Sequence, residues 1–383
     1  MSDATHFPTH APTHHAPTHH APTHTPTRTA RLLGKSMAAI IAAGMLAGTT
    51  ACGAMPTAYE IAGISPTGST TTCPVDTNND FTGTIRIAWQ SIPNADLIVK
   101  DLGLLEACMP KANIQWNQFN SGGDVIQAFG SRSIDIGLAG SSPSVRAVSA
   151  PLSLPVKIVW IHDVIGEAES LVTNVESAKT IKDLAGKNIA VPFGSTSHFS
   201  LLSALSKAGM SETSVNLINL DPDKMAGAWN RKEIDAAWVW DPVLSKLKAA
   251  DGHIVTSSAE TAKSGSATYD MEIASNDFIT ANPGAMKTWT AVENYAAGLL
   301  KNKPDDSAEA IASQLGTAKK DVLTQMKGYT YPQAKAQSES FHGELPAILK
   351  STAKFLKSQN SLDTVNDTYE TALYTDAIDA VAE

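Results

Sequence analysis

Two short stretches gather small and hydroxylated residues at places where a helix can begin: Gly140-Ser141-Ser142-Pro143 and Phe193-Gly194-Ser195-Thr196-Ser197-His198. The first turn of a helix exposes unpaired N–H groups at the positive end of its dipole, which suits a small anion. Ser141, Ser142, Ser195, Thr196 and Ser197 would add hydroxyl donors without a bulky cation, and Gly194 lets the backbone come close. Serine and threonine are also ordinary N-caps, so either stretch alone reads as plain capping. Two of them in equivalent positions favour anion binding. His198 lies inside the second cluster, where it either meets the same ligand or points to solvent. No nucleophile elbow, Walker loop, Gly-x-Gly-x-x-Gly or His-Glu-x-x-His occurs in the chain, so no catalytic constellation competes.

The elements that must position these residues follow from periodicity. Strands are expected at 84–90, 114–119, 134–139 and 156–161, with helices at 95–105, 124–129 and from 142 to 148. The rhythm repeats from residue 170, with strands at 170–173, 188–191, 215–218, 236–240, 253–256 and 269–274. Helices fall between them at 181–184, 197–208, 222–229 and 243–250. After residue 284 the chain reads as helical, with Gly328–Pro332 as a break. Alternating strands and helices predict mostly parallel sheets covered on both faces. In such sheets ligands sit beyond the carboxyl ends of the strands. The residues there include Gln90, Ser121, the two Ser/Thr clusters and Trp240-Asp241-Pro242.

Residues 1–52 are set apart from the fold. Repeats of Ala-Pro-Thr-His up to residue 24 hold seven of the 11 histidines and cannot bury a core. Arg28, Arg31 and Lys35 then precede an apolar run from Met37 to Gly48, shorter than the roughly 20 residues a membrane span needs. This pattern is that of a secretory signal. It closes on Thr49-Thr50-Ala51-Cys52-Gly53, similar to a bacterial lipobox, although Thr49 stands where leucine is usual. Cys52 is the expected lipidation site, with ordinary cleavage as the other reading. Residues 53–81 read as a flexible tether. The other two cysteines, Cys73 and Cys108, form an even pair that an exported protein can oxidise, although two free thiols also fit. A net charge of −9 argues against a nucleic-acid surface.

At this point a family resemblance is carried by particular residues. Ile87-Ala88-Trp89-Gln90, Phe119-Asn120-Ser121-Gly122, Ile134-Asp135-Ile136-Gly137 and Gly140-Ser141-Ser142-Pro143 resemble segments of taurine-binding proteins of ABC transporters. So do Glu169-Ser170-Leu171-Val172, Pro192 to Leu202, Ile234 to Trp240 and Gly328-Tyr329-Thr330-Tyr331. The resemblance covers about residues 84–375. It implies an α/β chain with the type II periplasmic-binding-protein fold: two α/β lobes, a ligand cleft between them and a helical C-terminal tail. Lobe 1 would hold 82–167 and 272–383, and lobe 2 would hold 168–271. The implied role is a non-enzymatic, lipid-anchored receptor that works as a monomer, delivers taurine to an ABC permease, and uses neither cofactor nor metal. Another alkanesulfonate or nitrate is the alternative ligand, and a pyrimidine-precursor enzyme a more distant one.

Taurine is a zwitterion, so its sulfonate suits amides and hydroxyls while its ammonium needs a carboxylate. The implied ligand residues are Gln90, Ser121, Ser141, Ser142, Ser195, Thr196 and His198, with Asp270 as ammonium partner, Glu169 as second choice, and Trp240 as aromatic wall. Asp241 departs from the taurine-binding pattern, which carries a small residue before this proline, and leaves a broader sulfonate site open.

Overall fold

In the computed structural model, residues 71–383 are described; the leader, Cys52 and most of the expected tether lie outside them. Eleven strands form two sheets among the described residues. The first contains β1 (Thr84–Trp89), β2 (Asn113–Gln118), β3 (Ile136–Leu138), β4 (Val156–Ile165), β10 (Tyr269–Ser275) and β11 (Tyr329–Thr330), in the order β11-β4-β10-β3-β1-β2. The second contains β5 (Glu169–Thr173), β6 (Asn188–Val191), β7 (Asn216–Asn219), β8 (Ala236–Trp240) and β9 (His253–Ser257), in the order β7-β6-β8-β5-β9. The fold is mixed α/β with a helical C-terminal stretch, as expected.

The expectation of mostly parallel sheets is corrected. Parallel pairing holds for β1 with β2 and β3, and for β6 with β7 and β8. β10 runs antiparallel to β3 and β4, β11 to β4, and β5 to β8 and β9. The cause lies in the crossings. The chain leaves the first sheet after Ile165, enters the second at Glu169, and returns at Tyr269, so the strands beside the crossings run against their neighbours. Helix periodicity and strand alternation say nothing about such direction changes.

Each sheet has its own apolar core. Around the first pack Ile85, Ile87, Leu97, Trp160, Trp289 and Phe341; around the second, Leu171, Ile189, Leu201 and Trp238 on one face and Val172, Val239 and Trp229 on the other. Two strands missed in the sequence matter. β4 extends four residues past the expected end, to Ile165, and β11 forms inside the expected break. The short helix Ser258–Ala262 was also unforeseen, and Ser257 caps it by accepting from the N–H of Glu260.

Residues 73–81, read as part of a free tether, are held to the first sheet's body. Cys73 is joined by a disulfide to Cys108, the last residue of helix Leu104–Cys108. The N–H of Asn78 donates to the Cys108 carbonyl at 2.8 Å, and the Phe81 ring meets Phe278 edge-on at 6.2 Å. The cross-link separates residues 35 apart in sequence. Closing a loop of that size stabilises by about 3–4 kcal/mol in the chain-entropy model. Cys73→Ala is therefore expected to lower the thermal midpoint measurably. Thermal melts with and without reductant check this: reductant should reproduce the loss in the wild type and leave the variant unmoved.

Candidate functional site

The carboxyl ends of strands from both sheets meet at a small cavity lined by Gln90, Ile92, Gly122, Ala139, Ile165, Glu169, Ser195, Thr196, Trp240, Asp270 and Tyr329. Its volume is about 10 Å³, roughly room for one water. A larger ligand therefore enters only when the two sheets' ends separate. Six of the expected residues are brought together here: Gln90, Glu169, Ser195, Thr196, Trp240 and Asp270. Ser121, Ser141, Ser142 and His198 are not among the lining residues.

Two helix starts reach the cavity. Gly122 opens helix Gly122–Gly130, and any Cβ on it would fall 2.0 Å from the Ala139 carbonyl oxygen, so only glycine allows this approach. Ser195 caps helix Thr196–Lys207: its Oγ donates to the Pro192 carbonyl at 2.7 Å and accepts from the N–H of His198 at 3.1 Å. Both helix ends offer first-turn N–H groups and a positive dipole end.

Ser121, Ser141 and Ser142 make hydrogen bonds within the protein. Ser121 caps its helix, with its hydroxyl donating to Asp124 at 2.9 Å. Ser141 Oγ accepts from the N–H of Tyr269 at 3.2 Å. Ser142 Oγ donates to the Ser195 carbonyl at 2.9 Å and so ties helix Ser141–Val148 to the second sheet's cap. Asp241 likewise acts as a cap. Its Oδ1 accepts from the N–H of Ser245 at 2.9 Å and from the Ser245 hydroxyl at 2.6 Å. The departure from the taurine-binding pattern thus serves helix Val243–Ala249 and is not aimed into the cavity.

Buried acids line the same cavity. Glu169 is fully buried, and its carboxylate accepts from Thr196 Oγ1 and Ser258 Oγ, each at 2.6 Å, and from Ser200 Oγ at 3.4 Å. Burial pushes its pKa up while these hydroxyls pull it down. Asp270 is buried on β10 opposite Asp163 on β4. Burial first, then the nearby Glu169 charge, raises the Asp270 pKa to about 8. Burial and the same neighbours push Asp163 well above the usual range. Among the described residues, none that lines the cavity is basic.

Trp240 ends β8 in register with Glu169 and forms an apolar wall. Tyr329 adds a buried hydroxyl that has no hydrogen-bond partner in the protein. Asp163 and Tyr329 were missed as site residues. For Asp163 the signal was present: an aspartate inside an apolar strand that continues to Ile165. Tyr329 had none beyond its place in the expected break.

His198 lies in a separate pocket of about 510 Å³ with Arg146, Phe193, Gly194 and Asn219. Its ring stacks on Phe193 with centroids 4.6 Å apart, and Nδ1 accepts from the Gly194 N–H at 3.2 Å. Burial and the Arg146 charge depress its pKa from 6.5 to about 4. A group depressed on folding contributes stability that is present above its unfolded pKa and lost as pH falls through the folded one. The wild type is therefore expected to lose more stability than His198→Gln between pH 6.5 and about 4. Urea midpoints of both proteins across that range check the difference.

A family model described as NMT1/THI5 like matches residues 113–307. The taurine-binding periplasmic protein of Escherichia coli (strain K12) is 33% identical over 67% of this chain and 81% of its own length. A putative aliphatic sulfonates-binding protein of the same organism is 28% identical over 61% of the chain and 72% of its own. Among solved structures, the alkanesulfonate-binding protein SsuA of Xanthomonas axonopodis pv. citri, bound to MOPS, superposes with a TM-score of 0.65. It is 24% identical and covers 76% of this chain and 98% of its own, which shows the shared fold.

Proposed function

We propose, for a chain that belongs to the NMT1/THI5-like family with taurine- and sulfonate-binding periplasmic proteins among its relatives, that the cavity between the two sheets captures taurine for an ABC importer. The observation that carries this reading is the mixed polarity of the cavity lining. Helix starts at Gly122 and Ser195-Thr196 line it together with the carboxyl groups of Glu169 and Asp270, and no lining side chain is basic. A permanent anion such as a sulfonate only accepts hydrogen bonds and fits the helix starts. An ammonium supplies the missing cation opposite Asp270, with Trp240 as a wall beside it.

The two lobes act as jaws: 82–167 with 272–383 form one, and 168–271 the other. The crossings at 165–169 and 257–269 are the hinges. The Ser142–Ser195 hydrogen bond and the edge-on contact of Phe199 with Phe355, whose rings are 5.0 Å apart, close the jaws. The protein works as a monomer, outside the cytoplasm, and releases its ligand to a permease without transforming it. Cys52 carries the lipid anchor. Mass spectrometry of the mature N-terminus is expected to find a diacylglyceryl group on Cys52, and an unmodified terminus would refute the anchor.

Titration calorimetry tests the ligand. Taurine is expected to bind at least tenfold more tightly than ethanesulfonate, which keeps the sulfonate and lacks the ammonium; that is about 1.4 kcal/mol. Asp270→Asn should erase the preference and leave ethanesulfonate binding nearly unchanged. Equal binding of both ligands by the wild type would move the assignment to a general sulfonate receptor. No heat with either would overturn it.

A further inference from the structure

A second group of acids lies on the far face of β4 and β10, away from the cavity. Asp96 of helix Ala95–Leu102, His162 of β4, Glu272 of β10 and Glu293 of helix Pro283–Asn302 meet in the interior of the first lobe, all essentially without solvent exposure. His162 Nε2 is 2.8 Å from Glu272 Oε2 and 3.8 Å from Asp96 Oδ2, and its Nδ1 is 3.8 Å from Glu293 Oε2. One donor atom from each of Asp96, His162 and Glu272 lies within 4.8 Å of the others.

His162 Nε2 and Glu272 Oε2 are hydrogen-bonded to each other, and the remaining polar atoms of the group are not satisfied. Both oxygens of Asp96, both of Glu293, Glu272 Oε1 and His162 Nδ1 are buried with no hydrogen-bond partner in the protein. Buried polar atoms are almost always paired, and a buried carboxylate is costly unless a cation or donor meets it. Three carboxyl groups surround one imidazole, with no lysine or arginine paired to them among the described residues.

We propose that Asp96, His162 and Glu272 bind a divalent first-row transition metal ion that ties helix Ala95–Leu102 to β4 and β10. Donors bound about 2.0–2.2 Å from one ion sit roughly 3–4 Å apart; the 3.8 Å from His162 Nε2 to Asp96 lies in that range, and the 2.8 Å to Glu272 widens slightly when an ion replaces the hydrogen bond. Two carboxylates with one imidazole suit Mn²⁺, Fe²⁺ or Zn²⁺ better than an oxygen-only Ca²⁺ or Mg²⁺ cage. Glu293 takes the supporting place, opposite the ring nitrogen that does not ligate, where a carboxylate fixes the tautomer of a metal-bound histidine. The ion is structural: it neutralises acids in a dry interior and is remote from ligand capture.

The test uses the full chain, washed with EDTA so that metal held on the leader histidines is removed. Elemental analysis by mass spectrometry is expected to find about one Mn²⁺, Fe²⁺ or Zn²⁺ per chain, and at least tenfold less in Asp96→Asn. Refolding from guanidinium measures the same site independently. Wild type refolded with Zn²⁺ or Mn²⁺ should melt at a higher temperature than wild type refolded in EDTA. Where Asp96→Asn does not fold, the two wild-type measurements decide. Metal below a tenth of an equivalent together with identical melting in both refolding buffers would overturn the site. So would full metal retention in a folded Asp96→Asn.

Discussion

Much of the structure depends on one pair of strands. β4 and β10 run antiparallel through the centre of the first sheet, and between them they carry four buried ionisable groups. His162 and Asp163 are consecutive on β4, so they point to opposite faces. Asp270 and Glu272 are two apart on β10 and would share a face in a regular strand. The partner strand is the irregular one: Asp270 pairs with Asp163 and Met271 with Ile161, which leaves His162 as the extra residue of a bulge on β4. It lets Asp270 meet Asp163 on the cleft side while Glu272 meets His162 in the interior. One irregularity thus separates two acidic clusters that lie a few residues apart in sequence.

The cleft cluster explains why the rest of the cavity lining needs so little. Helix starts bring partial positive charge through backbone N–H groups, and these cost no side-chain ordering and carry no counter-ion. A lysine or arginine there would pair with Glu169 or Asp270 across a narrow cavity and close it from within. Glu169 escapes that need because three hydroxyls already donate to it. Asp270 is paired in register with Asp163, and two neighbouring buried carboxyls cannot both carry charge cheaply. The difference between these two acids is therefore one of supply. Glu169 is a satisfied structural anion, and Asp270 is the acid still lacking a cation.

The sequence was most legible where local pattern governs. Strand and helix order, the glycine-rich approaches and the helix caps were all visible, because alternation, periodicity and capping are short-range properties. Strand direction was not, since it depends on where the chain crosses between sheets. Of the expected site residues, Gln90, Glu169, Ser195, Thr196, Trp240 and Asp270 line the cavity, while Ser121, Ser141, Ser142 and His198 lie outside its lining. Composition alone cannot separate a serine that donates to a ligand from one that donates to a carbonyl across the lobes, as Ser142 does to Ser195. Asp163 was lost because the apolar run before it ended the expected strand too early. Tyr329 was lost because two residues of strand leave no periodicity to read.

On the proposed function, the arrangement would also link ligand capture to lobe closure. Holding Asp163, Asp270 and Glu169 close together in a dry cavity destabilises the closed form without a cation, because each charge must be suppressed or left unpaired. Strain of this kind is a recurrent property of binding sites, which trade stability for function. The closing contacts act against it: Ser142 with Ser195, and Phe199 with Phe355. A ligand that places an ammonium beside Asp270 removes the penalty only when the jaws are shut, since an open cleft already lets water solvate the acids. Its differential affinity for the two states is then the energy that drives closure. An anion without the cationic end gains the helix starts but leaves the acids unpaired, so it closes the jaws less completely. Selectivity and closure therefore arise from the same carboxyl groups.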